Sequence, residues 1–338
     1  MQSRILKTDG LNQKILEAGP DGGGGLLVLL IHGFPELGIS WRAQVEALAA
    51  AGFHAVAPDM RGYGGTDKPE ATDQHTILHL VGDMVDLVRA LAKAGVGNGT
   101  CVVVGHDWGA PVAWHCALMR PDVFTAVMGL SVPFQPRIPK GAPTPMMTML
   151  SKRLGQGDLY INRFQAADAH APFDADPVTA LRKMFWSFDG STPDHDASGG
   201  GQATGFLPDG VSMLGSISDA ATLPPWMSEA HFEEYVTAFA PKSGDAGGFK
   251  GPLDWYRCID RNWSLTAFLQ DKRITQPSFF LVGERDPVRH YSGQHEAGLK
   301  DWLTDLRGQV VLPGAGHWVQ QERADAVNAA LLGFLKGL

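Results

Sequence analysis

The chain has 338 residues, of which 44% are hydrophobic and 19% are charged, a composition typical of a globular protein. Its net charge of −8 and pI near 5.8 argue against nucleic acid or an anionic membrane as a partner. No apolar run is long enough to span a bilayer and no signal peptide opens the sequence, so we expect a cytoplasmic protein. The three cysteines, Cys101, Cys116 and Cys258, are too widely spaced for a metal or disulfide pattern, which fits a reducing compartment.

Strand and helix patterns alternate through the first 132 residues. The run at 26–31 is continuously apolar, as in a strand buried on both faces, and apolar residues over 77–91 recur at helical spacing. Strands are predicted at 13–18, 26–31, 53–57, 101–105 and 124–132, and helices from residue 40, over 77–91 and over 111–119. This alternation predicts an α/β fold, with a mostly parallel sheet covered by helices on both faces.

The alternation is interrupted between residue 133 and about residue 275. Helices are predicted over 146–154, 178–188, 228–240 and 253–269, and Gly-rich loops over 194–221 and 244–251. Strands at 278–282 and 309–312 and a closing helix over 324–335 then resume the first pattern. We therefore expect a core built from residues 1–133 and 275–338, with an inserted, mostly helical lid over 134–274.

A β-branched strand ends abruptly in Gly105-His106-Asp107-Trp108-Gly109, and a helical stretch follows. Glycines flanking one reactive residue at a strand-to-helix turn are typical of a nucleophile elbow. The residue at the centre is Asp107 rather than the commoner serine, and a carboxylate is already ionised at neutral pH. Asp107 is therefore the candidate nucleophile; on this segment alone, an aspartate that only caps the helix is the alternative.

Two further residues complete the arrangement that a nucleophile elbow requires. Asp286 follows a late strand, and His317 follows the last strand in a Gly-rich loop. In an open parallel sheet, catalytic groups gather beyond the carboxyl ends of the strands. The order nucleophile, acid, histidine is that of an α/β-hydrolase. Glu284 is the rival for the acid, but Asp286 lies further into the loop and precedes a proline.

The same fold predicts an oxyanion hole made of two backbone N–H groups. One belongs to the residue after the nucleophile, which is Trp108. The other comes from the turn that follows the strand at 26–31, where Phe34 is the candidate; an ordinary bend at the end of that strand is the alternative.

Three motifs together resemble the soluble epoxide hydrolases of the α/β-hydrolase superfamily, and the resemblance covers nearly the whole chain. They are His32-Gly33-Phe34-Pro35-Glu36, Arg61-Gly62-Tyr63-Gly64 and Gly105-His106-Asp107-Trp108-Gly109. That family holds the epoxide oxygen with two lid tyrosines. Residues 160–165 resemble the first tyrosine segment and residues 251–263 resemble the second, so the resemblance implies this role for Tyr160 and Tyr256. Tyr235 and Tyr291 match neither segment.

The resemblance implies hydrolysis of a small epoxide to a vicinal diol by water, with no metal or organic cofactor. Aromatic residues suggest an apolar substrate pocket. The expected substrate-binding residues are Phe34, Pro35, Trp108, Trp255 and Trp318. A haloalkane dehalogenase, which also has an aspartate nucleophile, and a non-catalytic ligand-binding relative are the alternatives. The sequence leaves open which epoxide reacts, and whether the chain is a monomer or a homo-oligomer.

Overall fold

The computed structural model describes residues 1–137, 158–192, 205–207, 210–217, 222–241 and 248–338. The strands of this part of the chain are β1 (Gln2–Lys7), β2 (Asn12–Ala18), β3 (Leu27–Ile31), β4 (His54–Pro58), β5 (Cys101–His106), β6 (Phe124–Leu130), β7 (Asp158–Leu159), β8 (Phe206–Leu207), β9 (Ile274–Gly283) and β10 (Leu303–Leu312). The predicted helix over 146–154 lies outside the described residues.

The helices of the same part of the chain differ widely in length. They are α1 (Arg42–Ala50), α2 (Ile77–Lys93), α3 (Gly109–Met119), α4 (Tyr160–Arg163), α5 (Ala171–Ala175), α6 (Pro177–Ser187), α7 (Met213–Ser216), α8 (Glu229–Phe239), α9 (Lys250–Arg257), α10 (Ile259–Leu265), α11 (Arg289–Ala297), α12 (Leu299–Trp302), α13 (Val319–Glu322) and α14 (Ala324–Lys336). Among these described helices, none combines the length and the apolar character that a membrane span requires.

Eight of the strands form one sheet in the order β1-β2-β4-β3-β5-β6-β9-β10. β1, β2 and β4 pair antiparallel, whereas the neighbours from β4 through to β10 pair parallel. The expected α/β fold with a mostly parallel sheet is thus confirmed. All strands of this sheet precede residue 131 or follow residue 273, and the chain between them contains helices and the short β7–β8 pair.

The central strands are buried on both faces, which explains their continuous apolar sequences. In β3, Leu29 packs into the hydrophobic cluster that contains α2 and α3. Its neighbour Leu30 packs into the opposite cluster, with α1 and α14. Because successive side chains of a strand point to opposite faces, a strand covered on both sides needs an apolar residue at every position. Each such leucine contributes about 1.5–3 kcal/mol on burial.

The lid contacts the carboxyl edge of the sheet through polar groups as well as aromatic rings. The indole N–H of Trp255 in α9 donates to the carbonyl of Arg61 in the core at 3.1 Å. The fully buried carboxylate of Asp254 accepts from Thr72 of the core at 2.9 Å and from Arg257 at 2.7 Å. These contacts fix α9, and with it Tyr256, against the core.

Several boundaries differ from the sequence-based predictions. The run over 253–269 is not one helix: it breaks at Cys258 between α9 and α10, and its last residues form a 3₁₀ turn, Ala267–Leu269. The expected loop over 194–221 contains β8 and α7 in its described parts. β1 and α11 were not predicted, because both are largely polar and their apolar residues follow no clear period.

Candidate active site

Asp107 lies at a sharp turn between β5 and α3, where its backbone adopts a φ of 51°. Left-handed backbone is uncommon for a residue other than glycine and occurs often at functional sites. The two flanking glycines are sterically required: a Cβ on Gly105 would collide with the carbonyl of Gly109, and one on Gly109 would collide with that of Ile31. The turn therefore projects the Asp107 side chain beyond the carboxyl edge of the sheet.

The Asp107 carboxylate is bound by the loop that follows β3. The backbone N–H of Phe34 donates to its Oδ1 at 2.7 Å. A Cβ on Gly33 would collide with the same carboxylate, so only glycine allows this close approach. The Phe34–Pro35 peptide bond is cis. The N–H that the sequence predicts for an oxyanion hole thus faces the nucleophile, while Trp108 follows Asp107 directly at the start of α3.

His317 links the nucleophile to the predicted acid. Its Nε2 lies 3.5 Å from Asp107 Oδ2, and its Nδ1 donates to Asp286 Oδ1 at 3.0 Å. The same Asp286 oxygen accepts from the backbone N–H of Val288 at 2.9 Å, which fixes the carboxylate. Glu284 instead accepts from the backbone of Gly314 and is exposed, so Asp286 is the acid that reaches His317.

Asp107, Asp286 and His317 shift one another's pKa values in the direction that favours their charged forms. Burial raises the pKa of Asp107, but the hydrogen bond and charge of His317 outweigh it, so the pKa falls below its usual range. The pKa of Asp286 is lowered in the same way. Burial alone lowers the pKa of His317, yet the charge of Asp286 and the hydrogen bond to Asp107 raise it well above the ordinary value. Before substrate binds, the two carboxylates therefore favour the protonated form of the histidine.

Tyr160 and Tyr256 face Asp107 from the lid. Their ring centroids are 6.0 Å apart, and the Tyr256 ring lies 5.1 Å from that of Trp108. Burial raises the pKa of both phenols, and the negative charge of Asp107 raises it further. Both hydroxyls therefore keep their protons at neutral pH and can act as hydrogen-bond donors.

Two residues of this site were missed by the sequence analysis. Tyr291, in α11, lines the same two cavities as Tyr160 and Tyr256. Ser131 Oγ lies 3.1 Å from His317 Nδ1. Ser131 directly follows β6, so its place at the carboxyl edge of the sheet was the available signal. Tyr291 had no comparable signal, because the apolar residues of α11 follow no clear period.

Two cavities meet at Asp107, Tyr160, Tyr256 and Tyr291. The larger, about 240 Å³, extends past Trp108 towards α10 and α12; the smaller, about 50 Å³, reaches His317. Of the expected substrate-binding residues, Trp108 lines the larger cavity and Phe34 and Trp318 line the smaller. Pro35 and Trp255 line neither of these two cavities. The Trp255 ring is fully buried behind that of Trp108, with centroids 6.0 Å apart.

Within the described residues, no group of three or more His, Cys, Asp or Glu side chains is arranged to hold a metal ion.

Comparisons with known proteins show the family of the chain. The family described as "alpha/beta hydrolase fold" matches residues 27–324. The chain is 40% identical to epoxide hydrolase A of Mycobacterium tuberculosis, over 99% of this chain and 97% of that protein. It is 36% identical to epoxide hydrolase 1 of Siraitia grosvenorii, over 99% and 98%.

Solved structures give the same result. An epoxide hydrolase from an endophytic Streptomyces superimposes with a TM-score of 0.88 at 37% identity, covering 99% of this chain and 95% of that one. Epoxide hydrolase A from Mycobacterium thermoresistibile gives a TM-score of 0.86 at 39% identity, covering 100% and 98%.

Proposed function

The chain belongs to the epoxide hydrolases of the α/β-hydrolase superfamily, and on that premise we propose that it hydrolyses an epoxide through a covalent ester on Asp107. One observation carries the proposal. A carboxylate held at an elbow, with a histidine beside it, faces two protonated phenols across one cavity. A nucleophile and donors on opposite sides of a substrate are what opening of a strained ether ring requires.

In the first step, Asp107 attacks one epoxide carbon. Its Oδ1 is already bound by the Phe34 N–H, so Oδ2, which lies 3.5 Å from His317 Nε2, forms the new C–O bond. The C–O bond to the ring oxygen breaks, and that oxygen becomes an alkoxide. Tyr160 and Tyr256 hydrogen-bond to it and supply its proton, so stabilisation acts where the charge develops. The product of this step is an alkyl ester of Asp107.

In the second step, water hydrolyses the ester. Forming the ester removes the negative charge of Asp107, which is one of the two carboxylates that raise the pKa of His317. The imidazolium then gives up its proton, which restores the phenol that protonated the alkoxide, and the neutral imidazole, oriented by Asp286, takes a proton from water. Hydroxide adds to the ester carbonyl, and the resulting oxyanion is stabilised by the N–H groups of Phe34 and Trp108. The acyl C–O bond breaks, the diol leaves, and the carboxylate is restored.

The two-step path has an isotopic signature. In a single turnover with enzyme in excess in heavy-oxygen water, we expect unlabelled diol, because its new oxygen comes from Asp107. The label should be found in the Asp107 peptide by mass spectrometry. A labelled diol in that first turnover would mean that water attacks the epoxide directly.

The haloalkane dehalogenase alternative has less support. A leaving halide needs two N–H donors near the nucleophile and takes no proton, so the tyrosines would have no role. The indole N–H of Trp255 is bonded to the Arg61 carbonyl, and that of Trp318 to the Phe185 carbonyl, at 3.1 and 3.0 Å. We expect diol formation from styrene oxide without halide release from a bromoalkane; halide release alone would favour the dehalogenase. A catalytically inactive relative would give neither product.

A further inference from the structure

The loop that carries His317 packs directly against one segment of the lid, with backbone touching backbone. A Cβ on Gly316 would collide with Gly190 and Phe188, and a Cβ on Gly190 would collide with Gly316. The N–H of His317 donates to the carbonyl of Phe188 at 2.9 Å. We call residues 185–190 and 315–318 the seam. Because no side chain separates its two halves, a displacement of one moves the other.

The carboxylate of Glu322, in α13, holds both halves of the seam. Its Oε2 accepts from the N–H of Gly316 at 2.7 Å and from that of Gly190 at 3.1 Å. Its Oε1 accepts from the N–H of Trp318 at 2.9 Å. One side chain thus binds the residues on either side of His317 and the lid residue that they touch.

We propose that Glu322 is a positioning residue for the ester-hydrolysis step, holding the His317 loop and the lid in register. This inference rests on the proposed function, because it assigns a role within the second step. Glu322 does not touch the substrate cavities. It acts through the main chain on both sides of His317, whose imidazole must reach a water beside Asp107.

The carbonyl of His317 is bound by a buried histidine at the end of β5. His106 Nε2 donates to the His317 carbonyl at 2.7 Å, and its Nδ1 lies 2.7 Å from Glu36 Oε2. The N–H and C=O of His317 are thus fixed by the lid and the core, respectively. Glu322 accepts from the N–H sides of the 315–316 and 317–318 peptide groups, whose carbonyls are bound by the N–H of Arg285 at 2.8 Å and by His106. Loss of Glu322 therefore releases these two peptide groups on one side. A displacement of about 1 Å at a catalytic group can cost about 100-fold in rate.

The protonation state of Glu322 affects this arrangement. Burial raises its pKa to about 7, and the charge of Asp189 in the seam contributes to the rise. The other charged groups around it are Arg285, which donates to the Gly190 carbonyl at 2.8 Å, and Arg323, which donates to the Glu322 carbonyl at 3.3 Å. Protonation of the Glu322 carboxylate would convert one of its accepting oxygens into an O–H group that faces a backbone N–H donor. The full set of three bonds therefore belongs to the ionised form.

The test compares Glu322→Gln with Glu284→Gln. Glu284 is a matched control, because its carboxylate also accepts from a backbone N–H of the His317 loop, that of Gly314 at 2.9 Å, but it is exposed and does not reach the lid. Rapid mixing with substrate separates ester formation from ester hydrolysis. We expect E322Q to slow hydrolysis about tenfold and ester formation by less than about twofold, and E284Q to change neither.

The pH profile and a shorter side chain provide independent measurements. In the wild-type enzyme, both Glu322 and His317 must lose a proton, so the acid limb of the hydrolysis rate should be steeper than in E322Q, where only His317 titrates. Glu322→Asp keeps the charge but is too short to reach both halves, so it should slow hydrolysis as well. If E322Q does not fold, the rate of ester hydrolysis in E322D tests the proposal instead.

Hydrolysis at the wild-type rate in E322Q or in E322D would overturn the proposal. The NMR signals of His317 in the substrate-free enzyme test the positioning role of Glu322 even if the enzyme converts no epoxide. We expect the ¹⁵N signals of the His317 ring to shift or broaden in E322Q and not in E284Q. Unchanged His317 signals in E322Q would also refute the positioning role, whereas an absence of turnover by the wild-type enzyme would refute only the proposed function.

Discussion

The two walls of the pocket are held in different ways. On the core wall, Asp107 is fixed by its own strained backbone and by the Phe34 N–H. On the lid wall, Tyr256 is fixed mainly by aromatic rings, with the ring of Phe164 5.0 Å and that of Phe34 5.6 Å from its own. The charged group is thus held by directional polar contacts and the neutral group by edge-to-face packing.

The difference follows from the cost of burying each group. A buried carboxylate is stable only if hydrogen bonds and opposite charge replace its water. A phenol is neutral until it donates, so packing places its ring and leaves its hydroxyl free for the substrate. We infer that the core wall, through His317, governs hydrolysis of the ester. The lid wall, through its tyrosines, governs the rate at which Asp107 forms that ester. The predictions below test that division.

The largest effect is expected from the core wall. His317→Gln removes the base, so ester hydrolysis should slow by about 100-fold to 10,000-fold. Ester formation should continue, because Asp107 needs no base to attack. Intact-protein mass spectrometry after mixing with substrate should show the enzyme plus one epoxide. Failure to form any adduct, in a folded variant, would show that the two steps are not divided between the walls in this way.

The lid wall should give the opposite pattern. Tyr256→Phe removes one of two donors to the epoxide oxygen, so ester formation should slow by about 100-fold. Hydrolysis of ester that has already formed should change little. Tyr291→Phe is the comparison: this third tyrosine lines the same two cavities but has no proposed bond to the epoxide oxygen, so a smaller decrease in the same step is expected. Stopped-flow fluorescence measures both rate constants, and an equal loss in both steps would contradict the division.

The pH dependence separates the two states of His317. The charge of Asp286 and the hydrogen bond to Asp107 raise its pKa in the free enzyme, and ester formation removes the charge of Asp107. The pKa that governs ester hydrolysis should therefore lie below the pKa of the free enzyme. In E322Q, where only His317 titrates, the rate below that pKa should fall about tenfold for each pH unit. The free value comes from NMR titration and the other from kcat; equal values would contradict the role of the Asp107 charge.

The smallest effect concerns stability at the seam between the walls. The folded-state pKa of Glu322, raised to about 7, lies above that of an unfolded chain. Its contribution to stability is present below the unfolded pKa and is lost as pH rises through about 7. Glutamine does not titrate, so the Tm of E322Q minus that of the wild type should increase between about pH 4.5 and about pH 7. A difference that decreases over this range would contradict the direction of the pKa shift.

Most of the core could be predicted because its signals are local. A strand such as β3 is apolar at every position, and a glycine such as Gly105 is required by the turn itself. Asp107, Asp286 and His317 follow strand ends, and parallel strands place such loops at one edge of the sheet. The division of the chain into 1–133, 134–274 and 275–338 remains a prediction, as do the roles of the individual site residues.

The sequence by itself determined the α/β architecture, the aspartate at the elbow and the membership of the epoxide hydrolases, because periodicity and short motifs express them within a few residues. Only the tertiary structure decided that Tyr291 lines the same cavities as Tyr160, that Ser131 reaches His317 and that Glu322 joins the lid to the loop of His317. These contacts join residues that are distant in the chain. They depend on how helices and loops pack in space, and no local pattern specifies that packing.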